Sequence, residues 1–419
     1  MSSSESKQTT KMYKSSKVSQ RTSNPIRKIV DQLQPPKNCT KAPIALSIGD
    51  PTKFKNLRTH KSVSQALMKA AESTDFDGYP HSCGYLEARR VVAEYAGGTG
   101  GVSPALTPEQ VILTSGCSGA LEIVIAGLAD EGDNILLPRP GFSLYNTLCS
   151  SKGIQVRYYD LVPEAAWQVN VDHARSLVDE KTRAILVNNP SNPCGSVYSR
   201  EHLLEILAMA EDCDIPIIAD EIYADMVFDP STNPFIPLAS LSVNVPILSV
   251  GGIAKRFLVP GWRLGWILIH DRHGKLVQVA EGLVALTTLI LGPNSLVQAT
   301  LPNILLNTPK SFFDNTMHTL KSHGTFLAQR LSSIPGLNPI CPQGAMYMMV
   351  HIDLALFSDI SDDIDFAKKL YAEENVCVLP GQCFEAPSYV RLVTCPSLDI
   401  LRDACNRIES FVQAHLLPS

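Results

Sequence analysis

The stretch Gly251-Gly252-Ile253-Ala254-Lys255-Arg256-Phe257, with Gly261-Trp262-Arg263-Leu264-Gly265-Trp266 soon after it, decides the reading of this chain. It follows residues 245–250, an apolar and partly β-branched run with the length of a buried strand. A lysine between such a strand and a Trp-Arg-Leu-Gly-Trp segment points inward. Apolar surroundings lower the pKa of a lysine, and the neutral amine is a nucleophile that can form a Schiff base with a carbonyl compound. Arg263, set among tryptophans, needs an anion. Phosphate suits its fork, and a structural ion pair is the alternative.

Outward from that stretch, strands alternate with helices. Residues 111–113, 134–137, 184–187, 215–219, 247–250 and 266–269 read as strands, and 120–129 and 202–211 as helices. This alternation predicts an α/β fold, a mostly parallel sheet covered by helices on both faces. Beyond Thr308-Pro309 the pattern changes to a long helix over 311–331, short strands around 346–350, 376–379 and 389–392, and a last helix from Leu398. That is a second, smaller α+β domain. The division expected is a disordered tail over 1–23, an N-terminal arm and part of the small domain over 24–58, the large domain over 59–306 and the small domain over 307–419. Within 24–58, Ile26, Ile29, Val30 and Leu33 mark a short helix that Pro35-Pro36 breaks, and 45–48 a short strand running into Gly49-Asp50-Pro51.

With 419 residues the chain exceeds a single core, and its 45% hydrophobic and 18% charged residues are those of a globular enzyme. A net charge of −5 gives no reason to expect nucleic acid, and no apolar run reaches the about 20 residues of a membrane helix. The eleven cysteines are scattered without a CxxC pair, which argues against a disulfide framework and a zinc site and for a reducing compartment. No metal is expected. The Ser-, Thr- and Lys-rich start lacks the apolar segment of a secretory signal, so the expected location is cytoplasmic rather than mitochondrial. Two decoys fall away. Gly97-Gly98-Thr99-Gly100-Gly101 lacks the third glycine of a dinucleotide loop and follows a helical pattern, and Gly116-Cys117-Ser118-Gly119 lacks the last glycine of a nucleophile elbow.

Several further segments could line a site. Thr114-Ser115-Gly116-Cys117-Ser118-Gly119-Ala120 lies between a strand and an apolar helix, where free N–H groups and the Ser118 hydroxyl could cradle a phosphate. Asp220-Glu221-Ile222-Tyr223 follows the strand 215–219, at the end where parallel sheets place ligands. A carboxylate there needs a cation such as a protonated ring nitrogen, or is simply a helix cap. The rigid turn Asn189-Pro190-Ser191-Asn192-Pro193 could aim the Asn192 amide, and Pro138-Arg139-Pro140-Gly141-Phe142 could stack Phe142 on a flat ring. Arg391, on the apolar strand Tyr389-Val390-Arg391-Leu392-Val393, needs a buried anion, and a substrate carboxylate fits. Phosphate cradle, arginine, lysine amine, acid and aromatic together are the parts of a pyridoxal phosphate site.

At this point the chain resembles the fold-type-I pyridoxal-phosphate aminotransferases, and among them the tyrosine aminotransferase family. The resemblance is carried by Asn-Pro-Ile-Arg at 24–27, Ser-Ile-Gly-Asp-Pro-Thr at 47–52, Leu-Thr-Ser-Gly-Cys-Ser at 113–118, Pro-Arg-Pro-Gly-Phe-Ser-Leu-Tyr at 138–145 and Asn-Asn-Pro-Ser-Asn-Pro-Cys-Gly-Ser-Val at 188–197. It continues in Ala-Asp-Glu-Ile-Tyr at 219–223, Val-Pro-Gly-Trp-Arg-Leu-Gly-Trp-Ile-Leu-Ile-His-Asp at 259–271 and Gly-Ala-Met-Tyr-Met-Met at 344–349. It implies a seven-stranded, mostly parallel sheet and pyridoxal 5′-phosphate as cofactor. Lys255 would hold the cofactor and shuttle the substrate proton, Asp220 would pair with the ring nitrogen, and Tyr223 and Asn192 would bond the 3′-oxygen. Phe142 would stack on the ring, with Cys117, Ser118, Gly119 and Arg263 on the phosphate. Tyr79 would reach the phosphate of a neighbouring subunit, which implies a homodimer with shared sites. Arg391 would clamp the substrate carboxylate beside the Gly49 backbone and Asn192.

The implied activity is catabolic transamination of tyrosine to 4-hydroxyphenylpyruvate with 2-oxoglutarate as acceptor. A broader aminotransferase acting on phenylalanine, tryptophan, methionine or alanine, a C–S lyase on the same scaffold, and a catalytically silent binding protein are the alternatives. No nucleic acid or membrane partner is implied. One departure stands out. Many fold-type-I enzymes carry serine three residues before the lysine, where this chain has Gly252, and Ser249 is the substitute within reach in sequence.

Overall fold

A computed structural model describes residues 13–31, 41–98 and 105–418. Fourteen strands occur among them: β1 (Ile44–Ala45), β2 (Val111–Thr114), β3 (Asn134–Arg139), β4 (Gln155–Val162), β5 (Gln168–Val169), β6 (Thr182–Asn188), β7 (Ile217–Asp220), β8 (Ile247–Gly252), β9 (Gly265–His270), β10 (Leu337–Pro339), β11 (Tyr347–Ile352), β12 (Val376–Cys377), β13 (Leu379–Pro380) and β14 (Tyr389–Val393). The large sheet runs β2-β9-β8-β7-β6-β3-β4-β5. Its centre is parallel, while β9 runs against both β2 and β8 and β5 runs against β4. The expected seven strands are therefore present, with the two-residue β5 added at one edge.

The strands at the centre are buried on both faces, which is why they read as unbroken apolar runs. Successive side chains still alternate. Ile217 and Ile247 pack under the helix Arg200–Asp212, with Leu203, Ile206 and Leu207, whereas Ile218 and Leu248 meet Ala120, Leu121 and Ile125 of the helix Gly116–Leu128 on the other side. The α/β reading of the large unit follows directly from this double cover.

The smaller unit is an antiparallel sheet, β10-β11-β14-β13. Met348, Val350, Val390 and Leu392 of that sheet share a core with Leu327 and Leu331 of the helix Lys310–Ser332 and with Leu401 and Ile408 of the helix Leu398–His415. The N-terminal segment joins it: β1 pairs in parallel with β12, and Val393 N–H donates to Leu46 O at 3.0 Å. Ile44 and Leu46 lie in the same core.

Several expectations need correction. β4, with the sequence Gln-Val-Arg-Tyr-Tyr-Asp-Leu-Val, was not anticipated as a strand, because its charges hide it. It lies near the sheet edge, where Arg157 pairs with Asp179, and Asp160 with Arg139 of β3. β5 and β10, two and three residues long, carry too little pattern to be seen. The strand expected at 45–48 is only β1, and the residues after it form the loop that reaches the site. The strand expected at 376–379 is two short strands, β12 and β13, in different sheets. The disordered tail expected over 1–23 does not hold at its end, where Lys17–Arg21 is helical, Ser16 Oγ accepts from Ser19 N and Arg21 bonds Glu131 at 2.5 Å. The rest of that tail up to residue 12, Pro35-Pro36 and residues 99–101 of the glycine decoy lie outside the described residues.

Candidate active site

In the large sheet every strand but β9 and β5 points the same way, so the chain leaves β2, β3, β6, β7 and β8 at one edge of the sheet. Register aligns Asn188 with Asp220 and Asp220 with Val250 along that edge. The segments that follow carry Ser118, in the first turn of the helix Gly116–Leu128, and Phe142, Asn192, Tyr223 and Lys255. Together with residues of the small unit they enclose a cavity of about 480 Å³, within the usual range of small-molecule sites.

Asp220 forms the floor, only 3% exposed. Its Oδ2 accepts from the Tyr145 hydroxyl at 2.6 Å, and its Oδ1 from Ile222 N–H at 3.2 Å and the Cys117 thiol at 3.6 Å. Asn188 Nδ2 donates to the Asp220 carbonyl at 2.9 Å, and Asn188 Oδ1 accepts from Asn192 N–H at 2.7 Å. Burial pushes the Asp220 carboxyl above the usual carboxylate range, and these donors offset that only in part. No cation is bonded to it among the described residues. A protonated ring nitrogen in the cavity would remove the strain of an uncompensated buried acid.

Lys255 is half-buried on the opposite wall. Its amine donates to the Gly49 carbonyl at 2.6 Å and lies 5.8 Å from the centre of the Tyr223 ring. Its company is thus more polar than the sequence suggested, because a loop some two hundred residues earlier in the chain supplies an acceptor. Tyr223 is buried, and its hydroxyl lies 2.7 Å from that of Tyr347. Burial raises the Tyr223 phenol well above its ordinary pKa, and the Tyr347 hydroxyl adds to this. Tyr347 needs Gly49, since a Cβ there would meet its hydroxyl at 2.6 Å.

The phosphate cradle is the start of the helix Gly116–Leu128. The preceding Ser115 does not cap it with its side chain, so the first-turn N–H groups keep their capacity to donate. The Arg263 guanidinium lies against this turn: Nη1 donates to Pro260 O at 3.0 Å and Nη2 to Ser115 O at 3.4 Å. Only glycines permit that approach. A Cβ on Gly116 would come within 2.6 Å of Arg263 Nη2, and one on Gly265 within 2.5 Å of Cys117 N. Cys117 and Ser118 line the cavity, while Gly119 lies in the same turn without lining it.

Arg391, on β14, is 3% exposed and sandwiched between the Tyr347 and Phe384 rings, its guanidinium carbon 4.4 and 4.8 Å from their centres. Nη1 donates to Asn192 Oδ1 and Nη2 to Ser47 O, each at 2.8 Å, while Nε is buried without an acceptor. Burial lowers the pKa of this guanidinium. Among the described residues none of Lys255, Arg263 and Arg391 forms an ion pair. The structural-pair alternative for the two arginines therefore has no carboxylate to support it. Phe142 lines the cavity with its ring edge-to-face on Tyr145 at 5.7 Å. Tyr79 is 91% exposed and stands apart from this pocket.

The Gly252 departure has a steric cause. A Cβ on Gly252 would lie 2.7 Å from Leu264 O and 2.9 Å from Gly265 Cα, so the backbone leaves no room for serine. Ser249 is no substitute. It lines a separate cavity of about 60 Å³ behind β8, together with Glu221 and His270. Burial pushes the Glu221 carboxyl up to about 7, against the donation of Leu238 N–H at 2.9 Å, and holds His270 down at about 4.

Sequence reasoning missed Tyr145, Asn188, Ser47, Tyr347, Ile26, Arg27 and Val30, all of which line the cavity. Tyr145, Asn188, Ser47, Tyr347, Ile26 and Arg27 lie inside quoted motifs, so their presence was visible and their contacts were not. Among the described residues ten cysteines are unpaired, and no group of three or more His, Cys, Asp or Glu is placed to hold a metal. No helix of the described residues is long and apolar enough to cross a membrane.

Comparison with known proteins points to one family. The sequence model of the family described as aminotransferase class I and II matches residues 41–408. The chain is 51% identical to the tyrosine aminotransferase of Bos taurus and 50% identical to that of Mus musculus, over 96% of its own length and 89% and 87% of theirs. The crystal structure of tyrosine aminotransferase from Leishmania infantum superposes with a TM-score of 0.93 at 37% identity, covering 97% of this chain and all of that one.

The Glu221 environment predicts a pH effect on stability. A carboxyl raised from about 4.5 unfolded to about 7 folded holds its proton longer in the folded state. The folded protein then binds more protons across that window, and its stability falls as pH rises from about 4.5 to about 7. Glu221→Gln is expected to flatten that decline in urea unfolding curves taken at stepped pH. An unchanged slope would mean that Glu221 titrates normally.

Proposed function

This chain belongs to the class I and II aminotransferases, and we propose that it moves the amino group of an aromatic L-amino acid, tyrosine foremost, to 2-oxoglutarate. The product is 4-hydroxyphenylpyruvate. The observation that carries this reading is the convergence of a buried acid without a cation, a lysine amine and two arginines without ion pairs on a single cavity. The tyrosine donor is supported by likeness to tyrosine aminotransferases along nearly the whole chain.

Pyridoxal 5′-phosphate is the cofactor of this family, and the residues present fit it. When bound, it supplies the carbonyl that receives the amino group and a conjugated ring that spreads the electron pair left on Cα. Asp220, oriented by Tyr145, would pair with the ring nitrogen. Tyr223 Oη and the Asn192 amide would bond the 3′-oxygen, and Phe142 would stack on the ring. Arg263 and the first-turn N–H groups from Cys117 to Gly119 would hold the phosphate.

Arg391 takes the substrate carboxylate in its fork, which Asn192 and Ser47 O hold in plane and whose Nε still lacks an acceptor. Fixing the carboxylate beside the Gly49 backbone orients the Cα–H bond. Lys255 Nζ, which sits on the Gly49 carbonyl, accepts the Cα proton and returns it on the other side of the transfer. The protein acts as a cytoplasmic homodimer. The exposed Tyr79 and the run Leu289-Ile290-Leu291, from 53% to 78% exposed, support that assembly. An outward-facing tyrosine fits a role in the neighbouring subunit's site.

Tyrosine and 2-oxoglutarate together should yield glutamate and no ammonia. Ammonia and pyruvate from a sulfur amino acid would mark a C–S lyase instead. Lys255→Ala is expected to abolish transamination and the visible absorbance band of lysine-bound cofactor, and sustained turnover would remove Lys255 from its role. Asp220→Asn should retain cofactor yet lose about 3 kcal/mol of transition-state stabilisation, a hundredfold or more in kcat. Wild-type kcat in that variant would exclude the charge pairing.

A further inference from the structure

Tyr347 lines the cavity and has no task in the reading above. It sits on β11, 2% exposed, and its neighbours fix it. The Arg391 guanidinium carbon lies 4.4 Å from the centre of its ring, and the Tyr223 ring meets it edge-on, 5.7 Å between centres at 84°. Its hydroxyl lies against the backbone at Gly49, where a Cβ would come within 2.6 Å of it. Held in this way, the Tyr347 hydroxyl stands 2.7 Å from that of Tyr223. Among the described residues neither hydroxyl has another hydrogen-bond partner.

Between two hydroxyls one donates and the other accepts, and the acceptor keeps its own proton for a third group. Arg391 settles the neighbouring amide. Its Nη1 donates to Asn192 Oδ1 at 2.8 Å, which leaves the Asn192 Nδ2 donor for the cavity. The 3′-oxygen of the cofactor would then meet a second donor only if Tyr223 also turns its proton there. That requires Tyr347 to be the donor of the tyrosine pair. Tyr223 has the proton to give, since burial holds its phenol well above its ordinary pKa. A hydroxyl that accepts one hydrogen bond is polarised into a stronger donor of the next.

Resting on the cofactor assignment above, we propose that Tyr347 is a positioning residue: its hydroxyl donates to Tyr223 Oη and so directs the single Tyr223 proton to the 3′-oxygen of the cofactor. The consequence is electronic. Negative charge on the 3′-oxygen holds the proton of the nitrogen that joins Lys255 to the cofactor. Donors on that oxygen spread the charge and make the nitrogen less basic. Without the Tyr347 oxygen, Tyr223 is a weaker donor and that nitrogen keeps its proton to higher pH. The other ionisable groups facing the pair are Asp220, Arg391 and Lys255, whose amine lies 5.8 Å from the centre of the Tyr223 ring. A Tyr347→Phe substitution leaves all three in place.

The test is a pH titration of the visible band of lysine-bound cofactor in the substrate-free holoenzyme, read as the midpoint of the colour change. Tyr347→Phe keeps a ring on Arg391 and should raise that midpoint by about 0.3 to 1 pH unit, the scale of one net hydrogen bond. Tyr223→Phe should raise it further. Tyr347→Phe added to Tyr223→Phe should then change nothing more, because the relay has lost its middle member. An unmoved midpoint in Tyr347→Phe overturns the proposal, and weaker binding of 3-phenylpropanoate in that variant would then place the hydroxyl on the substrate carboxylate. An equal shift with and without the Tyr223 hydroxyl also overturns it, since the effect would not pass through Tyr223. Failure of the functional reading looks different: the wild-type protein would show the band yet not transaminate tyrosine, and the midpoints would still report on Tyr347.

Discussion

The rest of this structure is arranged around a carboxylate buried without a positive charge. Asp220 ends a strand at the centre of the large sheet, where both faces are covered, and is itself only 3% exposed. A tyrosine hydroxyl, a backbone amide and a thiol satisfy its oxygens but do not neutralise it. A protein carries such a group at a cost of several kcal/mol unless a cation completes it. The cavity above it has the size and the donors to bring that cation in on a ligand.

The parallel sheet makes the convergence possible. Strands that run the same way deliver their following loops to one edge, so residues distant in sequence, from Ser118 to Lys255, arrive together. The small antiparallel sheet adds the opposite wall. Arg391 reaches across from β14 to an asparagine of the large unit and a carbonyl of the N-terminal loop, so three separate parts of the chain meet at one guanidinium. Glycines at 49, 116, 252 and 265 let these parts touch, since in each case a Cβ would meet a neighbouring atom closer than 3 Å.

Much of this was legible in the sequence, for a physical reason. Central strands are apolar throughout, and the polar residues at and beyond their ends stand out against that background, which exposed Asp220, Asn192 and Lys255, while Arg391 stands out within the apolar strand β14. What stayed hidden depends on tertiary approach. Tyr145 looks like any helix aromatic until the sheet sets it 2.6 Å from Asp220. The carbonyl on Lys255 comes from Gly49, which no local pattern links to it. Ser249 stands three residues from Gly252 on β8, an odd separation that turns the two to opposite faces, and β4 is hidden because an outer strand can carry charge. Arg27 seemed part of a recognisable motif, and only the docking of its helix showed which space it borders.

The Asp220 claim can be measured directly by nitrogen-15 NMR of the holoenzyme loaded with ring-labelled pyridoxal phosphate and titrated with pH. The account predicts a protonated ring nitrogen that persists to pH values well above those at which the free cofactor loses that proton. A ring nitrogen that deprotonates as it does in solution would contradict it.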